Sequence, residues 1–289
     1  MTKTALVLGA GGGAGGETAH ALVRHGWKVR GFARSPREGD GIDWYLGDAL
    51  KRRDVEAAAE GVDAIVHAVN PPGYRNWAAL VLPMIENSIA AAAANGARLV
   101  LPGTIYNYDP RETPVARPDS RQNPNTRKGV IRAELEHRME MANIRSLILR
   151  CGDFFGPYAG NNWLAQGMIK PGKPVTSITT PGREGVGHAW AYLPDVGETF
   201  ARLLDIEATL PRFVARAAGK PDLKPSGLPW MLLPLAAPFS TTLRELIEMK
   251  PFWRHPVRLD NHALIEAIGD EPHTPLDTAL ADTLRALGC

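Results

Sequence analysis

The chain has 289 residues, long enough for one α/β domain with a smaller lobe attached. Its 44% hydrophobic and 22% charged content is that of an ordinary globular protein, and a formal charge of +2 with no basic run longer than Lys51-Arg52-Arg53 points away from a nucleic-acid partner. Cys151 and Cys289 are too few for a disulfide framework. No apolar run reaches the roughly 18 residues of a membrane span, and the first strand begins too early for a signal peptide, so a cytoplasmic protein with no membrane association is expected.

The first element is a short apolar run, Thr4 to Leu8. It leads into Gly9-Ala10-Gly11-Gly12-Gly13-Ala14-Gly15-Gly16 and then a helical segment, Glu17 to His25. A buried strand, a glycine loop and a helix start in that order make a dinucleotide-binding turn. The glycines let backbone approach a pyrophosphate, and the helix N-terminus offers amide hydrogens and a partial positive charge. A second strand, Lys28 to Ala33, stands at the expected distance. NAD-selective turns place an acid after this strand to accept from the adenosine ribose hydroxyls. Here the segment reads Gly31-Phe32-Ala33-Arg34-Ser35-Pro36-Arg37, with no acid before Glu38. The planar fork of Arg34, with Ser35 donating beside it, suits a 2′-phosphate. NADP(H) is therefore the favoured cofactor and NAD the lesser one.

Strand and helix signals continue to alternate. Asp54 to Glu60 reads as a short helix, Asp63 to Val69 as a buried strand, and Trp77 to Asn95 as a long helix ended by Asn95-Gly96. Ala97 to Leu101 is a fourth strand, Lys128 to Met141 a helix, and Arg145 to Arg150 a fifth strand. Such alternation requires right-handed crossovers and a parallel sheet covered on both faces, with the ligand at the carboxyl ends of the strands. Past Phe155 glycine and proline become frequent, and after Pro225 helices without obvious strands dominate. Asp195 with Glu198, Thr242 with Glu245, and Thr274 with Pro275 and Asp277 mark helix starts. The expected architecture is α/β, a Rossmann-type doubly wound parallel sheet with a small, mainly helical C-terminal lobe. Residues 1–155 form the dinucleotide-binding domain, with 188–205 packing back onto it. Residues 156–187 and 206–289 form the substrate-binding lobe.

Over residues 3 to 205 the chain resembles the extended and atypical branches of the short-chain dehydrogenase/reductase superfamily, which include NAD(P)-dependent epimerases and dehydratases. Gly9-x-x-Gly12-x-x-Gly15 has their glycine spacing, and Leu46-Gly47-Asp48 is similar to the segment whose aspartate contacts the adenine amino group. His67-Ala68-Val69-Asn70 sits where the family lines the cofactor. Leu149-Arg150 through Phe154-Phe155-Gly156-Pro157, and Tyr192-Leu193-Pro194-Asp195-Val196, are similar to two further segments of the extended branch. The resemblance implies a cofactor site built from Gly9, Ala10, Gly11, Gly12, Gly13, Gly15, Arg34, Ser35, Asp48, Ala68, Val69, Asn70 and Arg132.

The catalytic part departs from the family, which uses Ser or Thr and then Tyr-x-x-x-Lys on one helix face. The lysine lowers the tyrosine pKa so that the phenol can exchange a proton with the substrate oxygen. Leu101 to Tyr108 matches the Ser/Thr segment and sets Thr104 at the hydroxyl position. One register of the following helix puts Lys128 at the tyrosine and Arg132 at the lysine. A shift of two residues puts Thr126 and Val130 there instead, and neither supplies the pair. Arg132 is free to bind a ribose hydroxyl or to pair with Glu136 at helical spacing, but not to shuttle protons. Lys128, if desolvated, is a candidate proton donor, as are Tyr106 and Tyr108. Tyr74, Trp77, Tyr158, Asn162 and Trp163 are candidate pocket residues. His188 reads first as a structural histidine, and Cys151 lacks the surroundings of a reactive thiol. No histidine or cysteine spacing suggests a metal.

Two functions stay open. One is an NADP(H)-dependent oxidoreductase or epimerase/dehydratase-like enzyme acting on a small carbonyl or polar substrate. The other is a non-catalytic NADP(H) sensor similar to the regulatory NmrA-like members. A small-molecule substrate is the expected partner, and a homodimer is left open. Because Arg34 and Ser35 stand where an acid would select NAD, NADPH should bind more tightly than NADH. Arg34→Ala should lose most of that preference, about 10- to 150-fold for a charge-assisted pair. Calorimetric titration checks it, and equal affinities in the unmutated protein would reject the assignment.

Overall fold

β1 (Thr4–Leu8) sends Ala5 and Val7 into one hydrophobic core and Leu6 and Leu8 into another, all four without solvent exposure. A strand buried on both faces needs helices on both sides. In this computed structural model, which describes residues 2–35, 38–71, 76–160, 162–206, 213–214, 226–228, 230–231 and 233–289, the chain supplies them by regular alternation. After β1 come α1 (Gly13–Arg24), β2 (Lys28–Ala33), β3 (Ile42–Leu46), α2 (Arg52–Ala58), β4 (Ala64–His67), α3 (Trp77–Asn95) and β5 (Arg98–Thr104). Next are β6 (Val115–Ala116), α4 (Arg127–Met141), β7 (Ser146–Cys151), β8 (Asp153–Phe155), β9 (Thr179–Thr180), β10 (Trp190–Tyr192) and α5 (Leu193–Asp205). The described elements end with β11 (Phe213–Val214), β12 (Ser226–Gly227), α6 (Leu233–Ala236), α7 (Thr241–Glu248), α8 (Lys250–Arg254), β13 (Arg258–Leu259), α9 (His262–Ile268) and α10 (Leu276–Ala286).

The central sheet is parallel, in the order β11-β7-β5-β4-β1-β2-β3. Six strands make the sheet proper and β11 adds a two-residue edge. The order reverses at β1, with β2 on one side and β4 on the other, so the ligand crevice opens beyond the ends of β1 and β4. The doubly wound Rossmann-type architecture is the expected one. β3 has no counterpart in the sequence reading, because Ile42-Asp43-Trp44-Tyr45-Leu46 is an edge strand with mixed burial and no clear alternation.

One face is covered by α1 and α5. Gly197 lets them approach closely, since a Cβ there would lie 2.5 Å from the Glu17 carbonyl oxygen. Leu264 of α9 is fully buried in the same core as Leu22 and Phe200, so part of the 206–289 segment belongs to the packing of the sheet. The other face is covered by α2, α3 and α4. Among the described helices, only α3 is long and apolar enough to cross a membrane, at a mean hydropathy of 1.4. Here it packs as a core helix, with Val81, Ile85, Ala91 and Ala92 buried.

The C-terminal lobe has its own aromatic core, including Tyr106, Tyr108, Trp163, Phe252 and Trp253. Besides its helices the lobe contains the parallel pair β9–β12, and β13 pairs in parallel with β6 of the first domain, where β8 pairs with β10. These strands have two or three residues, too few to show a period. Two expected caps are also replaced. Asp195 accepts from the Thr274 amide at 2.7 Å and its hydroxyl at 2.6 Å, tying α5 to the segment before α10. Ser240, not Thr242, caps α7, its Oγ accepting from the Leu243 amide at 3.4 Å.

The α1–α5 contact ends in a polar lock. His25 Nδ1 lies 2.6 Å from Asp205 and its Nε2 3.1 Å from Glu198, while Trp27 donates to Asp205 at 2.8 Å. Burial opposes a charge on His25, but Asp205 and Glu198 outweigh it and hold its pKa above the ordinary 6.5. A folded-state pKa above the unfolded one stabilises fully below the unfolded value and fades as pH rises through the folded one. The melting temperature should therefore fall as pH is raised from about 6.5 upward, and His25→Gln should flatten that slope. Calorimetry across this range checks it, and the same slope in both proteins would exclude the lock.

Candidate active site

The glycine loop turns sharply at Gly9, whose φ of 88° is in the region that favours glycine. A Cβ on Gly9 would lie 2.7 Å from the Ala68 carbonyl oxygen, and one on Gly15 would lie 2.2 Å from the Gly9 carbonyl oxygen. These two glycines close the loop against β4 and against itself. A Cβ on Gly12 would be 3.4 Å from its nearest neighbour, so Gly12 is not required by packing. It precedes α1, whose first amides point out of the helix end, the place for a pyrophosphate. The cradle fits a dinucleotide: backbone lies close where a side chain would intrude, and the helix start carries no acid. Arg34 and Ser35 are exposed beyond β2. Asp48 follows β3 and accepts from the Leu50 amide at 3.0 Å; because β2 and β3 run in parallel with Ala33 opposite Leu46, all three residues lie past the same edge of the sheet. Arg37 and Tyr74 lie outside the described residues.

A cavity of about 340 Å³ opens from this loop toward the lobe. Gly12, Gly13, Ala68, Val69, Asn70, Thr104, Tyr106 and Arg132 line it, as do Trp77, Asn162 and Trp163. Gly9, Ala10, Gly11 and Gly15 form the turn behind it. Tyr158 is 75% exposed and not among its lining residues. Arg132 reaches Asn70 Oδ1 at 3.4 Å and lies 5.0 Å from the Trp77 ring centroid, while Glu136 is engaged by Arg150 and Gln122. His67 is buried with Nδ1 2.8 Å from the Ser88 hydroxyl. Burial, then Arg132, pushes its pKa down to about 3, so the crevice holds a neutral imidazole there. The Cys151 thiol is pushed up to about 12 by burial and is unreactive.

Two expected proton donors are elsewhere. Lys128 is buried at the start of α4, and its ammonium lies 2.8 Å from Glu245 of α7, away from the cavity lining. Burial lowers its pKa and Glu245 opposes that shift. The orientation follows from the helix entry. Thr126 caps α4 by accepting from the Gly129 amide at 3.0 Å, and a Cβ on Gly129 would sit 2.1 Å from the Tyr106 carbonyl oxygen. The first turn thus lies flat on the 105–107 turn and delivers Arg132, one turn later, to the cavity. Tyr108 is also behind the lining, 1% exposed, with the Arg150 guanidinium 5.3 Å from its ring centroid.

Tyr106 remains, and with it come residues to which the sequence reading assigned no chemical role. Its hydroxyl donates to Asp153 Oδ1 at 2.6 Å, and His188 Nε2 lies 2.7 Å from Asp153 Oδ2. Asp153 lines the cavity. The His188 ring stacks on Trp253 at 3.8 Å, and its other nitrogen faces the Phe252 carbonyl oxygen at 3.3 Å. β8 and β10 bring this group together, and Gly152 permits it, since a Cβ there would lie 2.2 Å from the Ala189 carbonyl oxygen. The signals in the sequence were a carboxylate just beyond an apolar strand, at Asp153, and a histidine just before the Tyr192 segment, His188.

Thr104 belongs to a closed ring of hydrogen bonds. Its hydroxyl donates to Asn107 Oδ1 at 3.0 Å, Asn107 donates to Gln122 at 2.9 Å, and Gln122 donates to Glu136 at 2.7 Å. Glu136 is paired with Arg150, Nη2 at 2.7 Å, and Arg150 Nη1 returns to the Thr104 carbonyl oxygen at 2.9 Å. The direction of every amide follows from one end, because a carboxylate only accepts.

Residues 9–150 match the NAD(P)H-binding family model. The whole chain is similar to UDP-glucuronic acid 4-epimerase from Bacillus cereus in complex with NAD, at 15% identity and a TM-score of 0.76 over 98% of this chain and 96% of that one. L-threonine dehydrogenase from Clostridium difficile gives 16% and 0.74, covering 99% and 98%. The Bordetella bronchiseptica enzyme WbmH in complex with NAD+ gives 16% and 0.74, covering 100% of both chains. A comparison of the sequence with curated proteins finds no match.

Gly12→Val should keep the fold and lose dinucleotide binding, because its side chain enters only the pyrophosphate path. Gly15→Val should lower the melting temperature, because it collides with the loop itself. Fluorescence titration with NADPH and thermal melts separate the two, and retained affinity in a folded Gly12→Val protein would make the loop merely structural.

Proposed function

We propose that the chain, whose residues 9–150 match the NAD(P)H-binding family model and which has the fold of NAD-dependent epimerases and dehydrogenases, is an NADP(H)-dependent oxidoreductase or epimerase/dehydratase-like enzyme acting on a small carbonyl or polar compound. The observation that carries the reading is Tyr106, held at 2.6 Å by Asp153 on the wall of the cavity into which the glycine loop opens. The bound nicotinamide supplies or takes up a hydride. Gly12 and Gly13 with the start of α1 hold the pyrophosphate, Arg34 and Ser35 favour a 2′-phosphate, and Asn70 and Arg132 hold the nearer ribose. Thr104 and Tyr106 grip the reacting oxygen, in place of the tyrosine and lysine usual on the helix. Trp77 and Trp163 exclude water from the substrate.

One observation favours the sensor reading, namely that Lys128 is committed to Glu245 and takes no part in the cavity. Tight NADPH binding without turnover across a panel of carbonyl and hydroxyl compounds would select it.

Tyr106→Phe should slow turnover by about 10²- to 10⁴-fold with little loss of stability. Lys128→Met should act on stability instead, by about 3–5 kcal/mol, since it leaves the Glu245 carboxylate without its buried partner. Arg127→Met, at an exposed pair, should cost at most about 1 kcal/mol. Nicotinamide absorbance and thermal melts check all three. Slower turnover in Lys128→Met at unchanged stability would return Lys128 to the mechanism.

A further inference from the structure

We infer that the site is polarised to take a proton from its substrate: the enzyme dehydrogenates an alcohol, with Asp153 as the terminal base acting through Tyr106. The inference rests on the enzymatic reading above and goes beyond it in naming the direction and the base. It starts from where the protons point. Glu136, paired with Arg150, accepts from Gln122; Gln122 therefore turns its carbonyl to Asn107, and Asn107 turns its own to Thr104. The Thr104 hydroxyl proton is thereby directed at Asn107, and its oxygen meets the cavity as an acceptor. The same polarity holds on the other wall. The Tyr106 proton is directed at Asp153, whose second oxygen faces His188 Nε2 at 2.7 Å.

A carbonyl oxygen entering this site meets two oxygens whose protons are turned away. A hydroxyl group meets two acceptors. The alcohol O–H bond breaks as its proton passes to the Tyr106 oxygen, and the Tyr106 proton passes along the 2.6 Å hydrogen bond to Asp153 Oδ1. An oxidised nicotinamide dinucleotide held by the glycine loop would take up the hydride, the electron pair of the carbinol C–H bond, as the C=O double bond forms. Tyr106 is neutral before and after, so no phenolate has to be stabilised. This dispenses with the lysine that the helix lacks. His188, pinned on Trp253 and 9% exposed, is the positioning residue that keeps the second Asp153 oxygen occupied and the first aimed at Tyr106.

The test pairs NADP+ with secondary alcohols and polyols, and NADPH with the corresponding ketones and aldehydes. Alcohol oxidation should fall by about 10²- to 10⁴-fold in Asp153→Asn and in Tyr106→Phe. The double variant should be no slower than either single one, because both cut one relay. A second measurement needs no substrate: in the unliganded protein the Tyr106 hydroxyl proton should appear by NMR as a downfield resonance, absent in Tyr106→Phe and shifted upfield in Asp153→Asn. Unchanged alcohol oxidation in Asp153→Asn, or a Tyr106 proton that ignores that substitution, overturns the inference and leaves the enzymatic reading standing. Turnover of neither panel overturns both.

Discussion

The Arg150–Glu136 ion pair is the constraint on which the Thr104 side of the cavity depends. Both side chains are 1% exposed, and two charges removed from water are tolerated only when close geometry and further hydrogen bonds compensate them. Here Arg150 also meets the Thr104 carbonyl oxygen and the Tyr108 ring, and Glu136 also accepts from Gln122. One interaction thus clamps the ends of β5 and β7 to α4. The small residue at Gly103 is part of the arrangement, since a Cβ there would lie 3.0 Å from Arg150 Nη1. Losing either partner would leave a buried charge unbalanced, a cost of about 3–5 kcal/mol, and would release the hydrogen-bond direction that reaches Thr104.

The nucleotide side is organised differently, by close backbone approach. Gly9 and Gly15 are determined by contacts within the protein, whereas Gly12 leaves room that the protein does not use. The sheet supplies rigidity and the loops at its carboxyl edge supply function, as expected where the strand order reverses. Nothing in that frame selects a chemistry, because one fold carries many. What the lobe adds is an aromatic wall, Trp253 and Phe252, that holds His188 against Asp153.

α4 shows how a familiar helix is put to another use. Its first turn lies on the 105–107 turn through Gly129, which turns Lys128 toward α7 and Arg132 toward Asn70 and Trp77. Tyr106, on the turn beneath, faces the cavity in its place. The phenol on the cavity wall is therefore supplied by the turn after β5, and the helix supplies the Glu136 side of the clamp and the Arg132 cation.

What the sequence determined by itself was whatever depends on neighbours in the chain. The apolar runs of β1 and β2 and the alanine-rich α3 have the bounds expected of them, and the glycine spacing marked a tight turn between strand and helix, because periodicity and backbone freedom are local properties. Thr104 and Tyr106 were visible for the same reason, as the end of a strand that must open on the crevice. Only the tertiary structure put Tyr106 on the cavity wall and Lys128 and Tyr108 behind it, since each lies at or near a helix start or turn whose orientation depends on what packs against it. It alone joined Asp153 to His188 across 35 residues and Lys128 to Glu245 across most of the lobe. Charged groups in a core go where a partner satisfies them, and for these residues the partner is distant in the chain and close only after folding.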